Sequence, residues 1–456
     1  MRAGITDPAD LSISELIESM KRRELWAADV VAANLRRLDL TEPSVHAYAY
    51  VARDEAMAAA RARDQLAGRG GWAGPLHGIP IGVKDLFETG DMPTEAGSRV
   101  LAGNRPSRDA EAVRRLRAAG AIVVGKTVTH EFSYGLNVPS TRNVWDRSRY
   151  PGGSSAGSGV AVAVGSAAGS IGTDTAGSVR TPAAVNGIVG LKPTYGSVST
   201  EGVIPTCPSL DHVGPLARRV TDCALLFGVL SGSVAVDLDA PPAAEQLPLL
   251  RTRLGVERRH FFHAGVEAAV ARAVERALGV LRQLGATVVE ITIPELELAP
   301  AVTSTIMAVE ASHWHRTLIR ERRFDYDPAT RIMLELGQLL PAVRYLEAQQ
   351  AREVVRGAVR RAFLEDSLDA IVAPSVPVTA PPIERATELG GLVHHQSPAN
   401  VTGQPSLSIP CGFSEDGLPI GLQLIGRPFA EDTVLRIAAA YEEATSWHER
   451  RPPLAT

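Results

Sequence analysis

Residues 150–194 read YPGGSSAGSGVAVAVGSAAGSIGTDTAGSVRTPAAVNGIVGLKPT and have the most distinctive composition in the chain. The segment is rich in glycine and serine but holds almost no charge, unlike the solvated linkers that usually have such a composition. Small residues alternate with Val, Ala and Ile, which predicts a closely packed, buried backbone. Tight turns of this kind gather main-chain N–H groups and hydroxyls, and such groups stabilise a developing negative charge.

Three serines of this segment and one upstream lysine form a candidate reactive set. Ser154 and Ser155 lie in its first turn, Ser178 lies further along, and Lys84 precedes the segment in the chain. A serine hydroxyl becomes a useful nucleophile when a neighbouring base draws off its proton. A lysine and two serines can therefore transfer an acyl group without histidine.

The overall composition narrows the class of protein. With 456 residues, of which 45% are hydrophobic and 21% charged, the chain can bury a large core. Its net charge of −4 gives no reason to expect nucleic acid or an anionic membrane as a partner. The first residues are polar, and no apolar run reaches the roughly 20 residues needed to cross a bilayer. We therefore expect a cytoplasmic protein without membrane association.

Cysteine and histidine spacing argues against disulfides and metal. The three cysteines are widely spaced and form no CxxC pair. His313 and His315 flank Trp314, and His394 adjoins His395, but no carboxylate stands at a fixed spacing from them. We expect no metal site and no cofactor.

Alternating helix and strand patterns predict one large α/β domain over residues 1–456. Helices are expected at about 12–66, a catalytic core at about 67–230, a variable helical pocket region at about 300–363, and closing strands and a helix after it. Proline-rich residues 234–249 predict a loop. Because strand patterns lie on both sides of this loop, we expect one mixed, mostly parallel, twisted sheet flanked by helices on both faces.

Several ordered sequence blocks resemble the amidase signature family. These blocks are GIPIGVKD (78–85), PGGSSAGSG (151–159) and GTDTAGSVRTPAA (172–184), followed by LKPTYGSVS (191–199), SLDHVGPLAR (209–218) and GLPIGLQLIG (417–426). The resemblance covers nearly the whole chain. It implies the fold of that family and hydrolysis of carboxylic amide C–N bonds without metal or organic cofactor.

The resemblance also implies a Ser–Ser–Lys triad. Ser178 matches the nucleophile, Ser154 the bridging serine and Lys84 the base. Neutral lysine can act only if its pKa falls well below about 10.4, and burial would lower it. In this family the bridging serine follows a cis peptide bond, which would be Gly153–Ser154 here.

The same resemblance implies an oxyanion hole and its supporting residues. The backbone N–H groups expected to form the hole are those of Thr175, Ala176, Gly177 and Ser178. Many relatives have glycine at the position of Ala176, but alanine keeps its N–H. Ser155 is expected to support the loop, and Asp174 with Arg180 to form a structural pair beside the nucleophile, with Thr173 in a similar role.

Substrate identity is the open question. Pocket residues are expected in the variable segments, namely Phe132, Tyr134, Leu136, Ile306 and Met333. Their apolar and aromatic character favours aryl or alkyl amides, and carbamates share the planar N–C=O group and the tetrahedral intermediate. His130 is expected to line the pocket or support the structure, since Lys84 already supplies the base.

Three alternatives remain open. The chain could resemble the A subunit of glutamyl-tRNA amidotransferase, which releases ammonia from glutamine. It could instead be an allophanate or carboxybiuret type of ureido-acid hydrolase, which would need cationic groups for the substrate carboxylate. It could also be a non-catalytic binding protein that keeps the fold. The partner expected is a small-molecule amide or carbamate, and a homodimer is one option for assembly.

Overall fold

Eleven strands form one mixed sheet at the centre of the protein. The computed structural model describes residues 7–135, 137–233, 247–263, 265–388 and 390–453. The strands are β1 Tyr48–Val51, β2 Pro80–Lys84, β3 Ile122–Thr127, β4 Gly169–Asp174, β5 Val189–Lys192, β6 His212–Ala217, β7 Arg253–Glu257, β8 Thr287–Ile291, β9 Ala370–Pro374, β10 Ser406–Phe413 and β11 Pro419–Gly426. Their order across the sheet is β1-β3-β2-β4-β6-β5-β10-β11-β9-β7-β8.

Helices flank this sheet. They are α1 Ile13–Lys21, α2 Ala27–Val45, α3 Arg53–Gly68, α4 Glu111–Ala118, α5 Ala156–Val164, α6 Arg180–Asn186, α7 Val220–Ser231, α8 Arg258–Phe261, α9 Ala268–Gln283, α10 Ala299–His315, α11 Leu318–Glu321, α12 Pro328–Gly337, α13 Ala342–Glu365, α14 Gly390–Thr402 and α15 Glu431–Glu443. None of the helices in the described part of the chain combines the length and apolar character needed to span a bilayer.

The predicted α/β fold with a large mixed sheet is confirmed, but parallel pairing does not predominate. Four strand pairs are parallel: β2 with β3, β2 with β4, β7 with β8 and β7 with β9. Six are antiparallel: β1 with β3, β4 with β6, β5 with β6, β5 with β10, β10 with β11 and β9 with β11. Strands β10 and β11 are antiparallel because the short connection between them makes a hairpin, which needs no crossover.

Local signals explain where the elements begin. Helix α1 starts at a capping box, in which Ser12 Oγ accepts the Glu15 N–H at 3.1 Å and the Glu15 carboxylate accepts the Ser12 N–H at 2.7 Å. Strand β6 escaped prediction because it contains Gly214 and Pro215, which are weak strand formers. The predicted loop at residues 234–249 lies mostly outside the described residues.

Candidate active site

The carboxyl ends of two neighbouring parallel strands bring the lysine to the first of the two serines. Lys84 is the last residue of β2, and Thr173 lies near the end of the adjacent β4. Lys84 Nζ lies 2.8 Å from Ser154 Oγ and 2.7 Å from Thr173 Oγ1. Ligand sites in α/β folds form at this edge of the sheet, because neighbouring parallel strands end together there.

The lysine is completely enclosed, which changes its acidity. Its side chain is 0% exposed. Burial lowers the pKa of Lys84 to about 7, although the carboxylates of Asp211 and Asp174 act in the opposite direction. A large fraction of Lys84 is therefore neutral near pH 7 and can accept a proton.

The turn that carries Ser154 has no space for larger residues. Gly152 has φ +80°, and a Cβ there would lie 2.5 Å from Pro182 Cα. A Cβ on Gly153 would collide with the His130 ring and the Tyr150 hydroxyl. The Gly153–Ser154 peptide bond is cis, as the family resemblance predicts.

Ser155 holds the two halves of the serine segment together. Its N–H donates to the carbonyl of Ser178 at 3.2 Å, and its Oγ donates to the carbonyl of Thr173 at 3.2 Å. The side chain is completely buried. Ser155 therefore connects the turn that contains Ser154 with the strand end at Thr173 and with Ser178.

The loop between β4 and α6 presents most, but not all, of the predicted backbone donors. The Gly177 N–H donates to Asp174 Oδ1 at 2.8 Å, so it is already occupied. No partner for the N–H groups of Thr175, Ala176 and Ser178 is found among the described residues. Gly177 has φ +110°, a conformation that L side chains rarely adopt.

A buried ion pair fixes this loop to the sheet. Asp174 and Arg180 are both 0% exposed, and Arg180 Nη2 lies 3.0 Å from Asp174 Oδ1. Arg180 also donates to Asn400 Oδ1 at 2.6 Å and to Gln423 Oε1 at 2.8 Å. Burial acts to raise the pKa of Asp174, but the Arg180 guanidinium outweighs it and holds the pKa well below its usual range. Asp174 is therefore an ionised anchor.

A cavity of about 300 Å³ opens over the serines. Its lining combines Ser154, Ser178, Ala176 and the apolar or aromatic residues Tyr134, Val138, Tyr150, Met307, Met333, Leu392 and Val393, and it continues over His130, Ser133, Gly135, Gly153, Thr181 and Ser304. Among the described residues of this lining no Asp, Glu, Lys or Arg is present. The described part of the cavity wall therefore offers no charged side chain near pH 7.

Only some of the five predicted pocket residues line the cavity. Tyr134 and Met333 line the cavity. The prediction for Phe132 was wrong: it is fully buried behind the lining, in the same hydrophobic cluster as Tyr134, with its ring centroid 4.4 Å from that of His315. The prediction for Ile306 was also wrong, since this residue is fully buried in the core between helices. Leu136 lies outside the described residues.

His130 lines the cavity without an acidic partner in it. Its Nε2 lies 3.2 Å from the Tyr150 hydroxyl, and its Nδ1 lies 3.2 Å from the Gly135 carbonyl oxygen. Burial lowers the pKa of His130 to about 4, and Lys84 contributes in the same direction. His130 is therefore a neutral residue of the cavity lining at physiological pH.

Sequence reasoning missed two groups that act on Lys84. Thr173 was assigned only to the scaffold, yet its Oγ1 is the second hydrogen-bond partner of the lysine. Asp211 is fully buried behind the loop, and its Oδ1 accepts the Thr175 hydroxyl at 2.5 Å. The signal for Thr173 was its place at the end of a strand parallel to β2; Asp211 carried no local signal, because only tertiary folding brings it close.

Known proteins resemble this chain over nearly its whole length. The family model described as Amidase matches residues 29–435. An amidase from Pseudomonas putida is 41% identical, with 97% of this chain and 98% of that protein aligned. The A subunit of glutamyl-tRNA(Gln) amidotransferase from Chloroflexus aggregans is 39% identical, with 98% of each chain aligned.

Solved structures show the same fold. The peptide amidase of Stenotrophomonas maltophilia superposes with a TM-score of 0.84 at 31% identity, covering 98% of this chain and 99% of that one. A second crystal structure, of an amidase, gives a TM-score of 0.86 at 33% identity, covering 95% of this chain and 99% of that one. Family model, sequence relatives and folds agree over nearly the full chain, and the chain accordingly belongs to the amidase family of amide C–N hydrolases.

Proposed function

We propose that this amidase hydrolyses small, uncharged amides through an acyl-enzyme on Ser178. The observation that carries the proposal is the buried Lys84 in contact with Ser154, at a cavity that Ser178 also lines. Ser178 is the nucleophile, Ser154 the proton bridge and Lys84 the base. Neutral Lys84 accepts the Ser154 proton while Ser154 takes the proton of Ser178.

The reaction runs in two balanced halves. Ser178 Oγ bonds to the carbonyl carbon, and the C–N bond breaks as the Lys84 ammonium returns its proton through Ser154 to the leaving amine. Water then attacks the acyl ester with the same proton path and releases the carboxylic acid. The N–H groups of Thr175, Ala176 and Ser178 are the donors proposed to hold the oxyanion in both halves.

Gly177 is left out of that oxyanion hole. Its N–H already donates to Asp174, and this bond orients the loop so that the neighbouring N–H groups remain free. Asp174 and Arg180 are thus proposed as positioning residues, together with Ser155.

The absence of charged side chains from the described cavity lining favours neutral substrates. Tyr134, Met307, Met333 and Leu392 present apolar surface, which suits an aryl or alkyl group on either side of the amide. Aryl carbamates are a second substrate class within the same proposal, because they pass through the same tetrahedral intermediate. Anilides and aryl carbamates should react faster than alkylamides, since anilines are better leaving groups.

A second candidate is hydrolysis of glutamine for a partner enzyme. It is favoured by the relatives named as the A subunit of glutamyl-tRNA(Gln) amidotransferase. Glutamine carries an ammonium and a carboxylate at pH 7, and the ureido acids carry a carboxylate. The described cavity lining offers no counter-charge for either, which favours the neutral amides.

Amine release by the purified protein tests these candidates directly. The panel contains a matched anilide and alkylamide, an aryl carbamate, glutamine and allophanate. Ser178→Ala should abolish turnover, whereas Ser107→Ala, at an exposed serine outside the site, should leave it unchanged. Activity confined to glutamine or allophanate would contradict the neutral-amide proposal, and full activity of Ser178→Ala would remove Ser178 as nucleophile.

A homodimer is proposed for the assembly. Support comes from exposed apolar side chains around α12 and the start of α13, among them Leu336, Leu339 and Leu346 at 58%, 76% and 60% exposure. Light scattering should give twice the chain mass, and Leu339→Glu should shift it to the monomer. A monomeric wild type contradicts this assembly.

Cytoplasmic location stays a prediction from composition.

A further inference from the structure

Two pairs of histidines, which are distant from each other in the sequence, meet beside α14. His394 and His395 lie on α14, His260 on α8, and His263 just after α8. One ring nitrogen each of His263, His394 and His395 lies within 4.8 Å of the others. The sequence predicted no metal site because spacing within one segment cannot show His263 meeting the His394–His395 pair.

One ring nitrogen of His263, of His394 and of His395 has no hydrogen-bond partner in the described part of the chain. Nε2 of His263 and Nδ1 of His394 and of His395 are buried without a hydrogen bond among the described residues. His395 is 0% exposed, and its Nε2 donates to the Phe261 carbonyl at 3.0 Å. A neutral imidazole that donates from one nitrogen keeps a lone pair on the other, so His395 Nδ1 is a buried, oriented lone pair.

Ring orientation selects three of the histidines. The planes of His394 and His395 are inclined by 55°, those of His263 and His394 by 73°, and those of His263 and His395 by 55°. A metal ion lies in the plane of each imidazole that binds it, and inclined rings can direct their lone pairs to one point. His260 instead stacks on His394 at 4.0 Å and 18°, and nearly parallel rings cannot converge in this way.

The stacking also argues against the overlapping set of His260, Glu297 and His394. The atoms of that set are as close together, but it needs the two stacked rings to share one ion. Glu297 is further engaged by Arg259, at 3.9 Å. His260 therefore supports the cluster from the side, with its Nε2 donating to the His394 carbonyl at 3.1 Å.

We infer that His263, His394 and His395 form a binding site for a divalent transition-metal ion of the Zn²⁺ class. Three imidazoles without thiolate suit Zn²⁺, Cu²⁺ or Ni²⁺ rather than Mg²⁺ or Ca²⁺, which take oxygen ligands. Nitrogens around a tetrahedral Zn²⁺ at about 2.0–2.1 Å are about 3.3 Å apart, so the three rings close by about 1.5 Å at most. A water molecule completes the coordination.

His263 is the ligand that adjusts on binding. Its Nδ1 accepts the Gly265 N–H at 3.0 Å, which places the ring proton on Nε2. When a metal ion binds Nε2, the ring proton moves to Nδ1, which can then no longer accept the Gly265 N–H. His394 and His395 need no such change, since their Nδ1 atoms already lack partners among the described residues.

Bound metal ties α14 to the segment after α8. Leu392 and Val393, directly before the two α14 ligands, line the active-site cavity, and the carbonyl of Gln396 accepts from Arg180 at 3.2 Å. Metal binding therefore stabilises the helix that forms one wall of the cavity without contributing a group to the chemistry.

Calorimetric titration of tag-free protein with Zn²⁺ tests the site. We expect one ion per chain with a micromolar or lower dissociation constant, and a melting temperature that rises with Zn²⁺. Loss of a group that merely orients a ligand costs about 10–100-fold in metal affinity, so His263→Ala and His394→Gln should each weaken binding by at least that factor. Co²⁺ in place of Zn²⁺ should give the visible absorption of a tetrahedral nitrogen site.

Two control variants test which side chains bind the ion. His313→Ala, at an exposed histidine outside the cluster, should leave Zn²⁺ affinity unchanged. Glu297→Gln should also leave it unchanged; a loss there overturns the three-histidine assignment in favour of the set with His260. No binding by the wild type, or unaltered binding by His263→Ala that melts like the wild type, overturns the site itself.

Discussion

The acid limb of the pH–rate profile should report the ionisation of Lys84. Lowering the pH protonates this lysine, and a protonated lysine cannot accept the Ser154 proton. Burial lowers its pKa to about 7, so kcat/KM for a neutral anilide should be half-maximal near that pH. Two neighbours of the lysine titrate well below this range, because the pKa of His130 is lowered to about 4 and that of Asp174 lies lower still, whereas burial raises the pKa of Asp211.

The expected magnitude follows from the neutral fraction of the lysine. With a pKa of about 7, this fraction rises about 100-fold between pH 5 and pH 9 and levels off above about pH 8. A lysine with the unperturbed pKa of about 10.4 would instead give a rise of about 10⁴-fold over the same range, still climbing at pH 9. The shape of the curve therefore distinguishes a buried lysine from a solvated one.

The measurement is initial rate at low anilide concentration in buffers of constant ionic strength from pH 5 to 10. Asp211→Asn is the companion variant. The Asp211 carboxylate raises the pKa of Lys84, so its removal should move the midpoint to lower pH. A flat wild-type profile, or one whose midpoint lies above pH 9, would refute the role of a desolvated lysine base.

Two further predictions concern stability. Arg180→Met should lower the free energy of unfolding by about 3–5 kcal/mol in urea titrations, because it leaves the Asp174 carboxylate buried without its partner; a loss below about 1 kcal/mol would contradict the ionised anchor. Its control, Arg114→Ala, breaks an exposed pair and should leave the free energy of unfolding nearly unchanged. Gly177→Ala should lower the free energy of unfolding more than Gly196→Ala. Both glycines have positive φ, but a Cβ at residue 177 would lie 2.5 Å from the Gln396 side chain, whereas a Cβ at residue 196 would meet no atom within 4 Å. The control should cost about 1–2 kcal/mol from backbone strain alone, and equal melting temperatures for the two variants would show that the loop relaxes freely.

Local sequence signals were sufficient for many of the individual elements, although not for β6, and for the chemistry of the reactive groups. The capping box at Ser12 fixed the start of α1, and the small-residue segment at 150–194 indicated a buried, turn-rich backbone. The order of the blocks around Lys84, Ser154 and Ser178 identified the family. These features depend on neighbours along the chain, so they can be recognised without knowledge of the fold.

Pocket composition could not be predicted in the same way. Phe132 and Ile306 have the same apolar character as Met333, but they pack into the core while Met333 faces the cavity. Met307 lines the cavity although it directly follows the buried Ile306 on α10. The hydrophobicity of a residue predicts that it is buried, but it does not indicate whether its side chain packs against other side chains or against the substrate.

The sequence by itself determined the α/β class, the family and the candidate triad, because these rest on short blocks and on the order of those blocks along the chain. Only the tertiary structure decided the mixed pairing of the sheet, the engagement of the Gly177 N–H by Asp174, and the placement of Asp211 behind the loop. It also decided that His263 meets His394 and His395. Contacts between distant segments depend on how strands and helices stack, and no spacing within one segment records that packing.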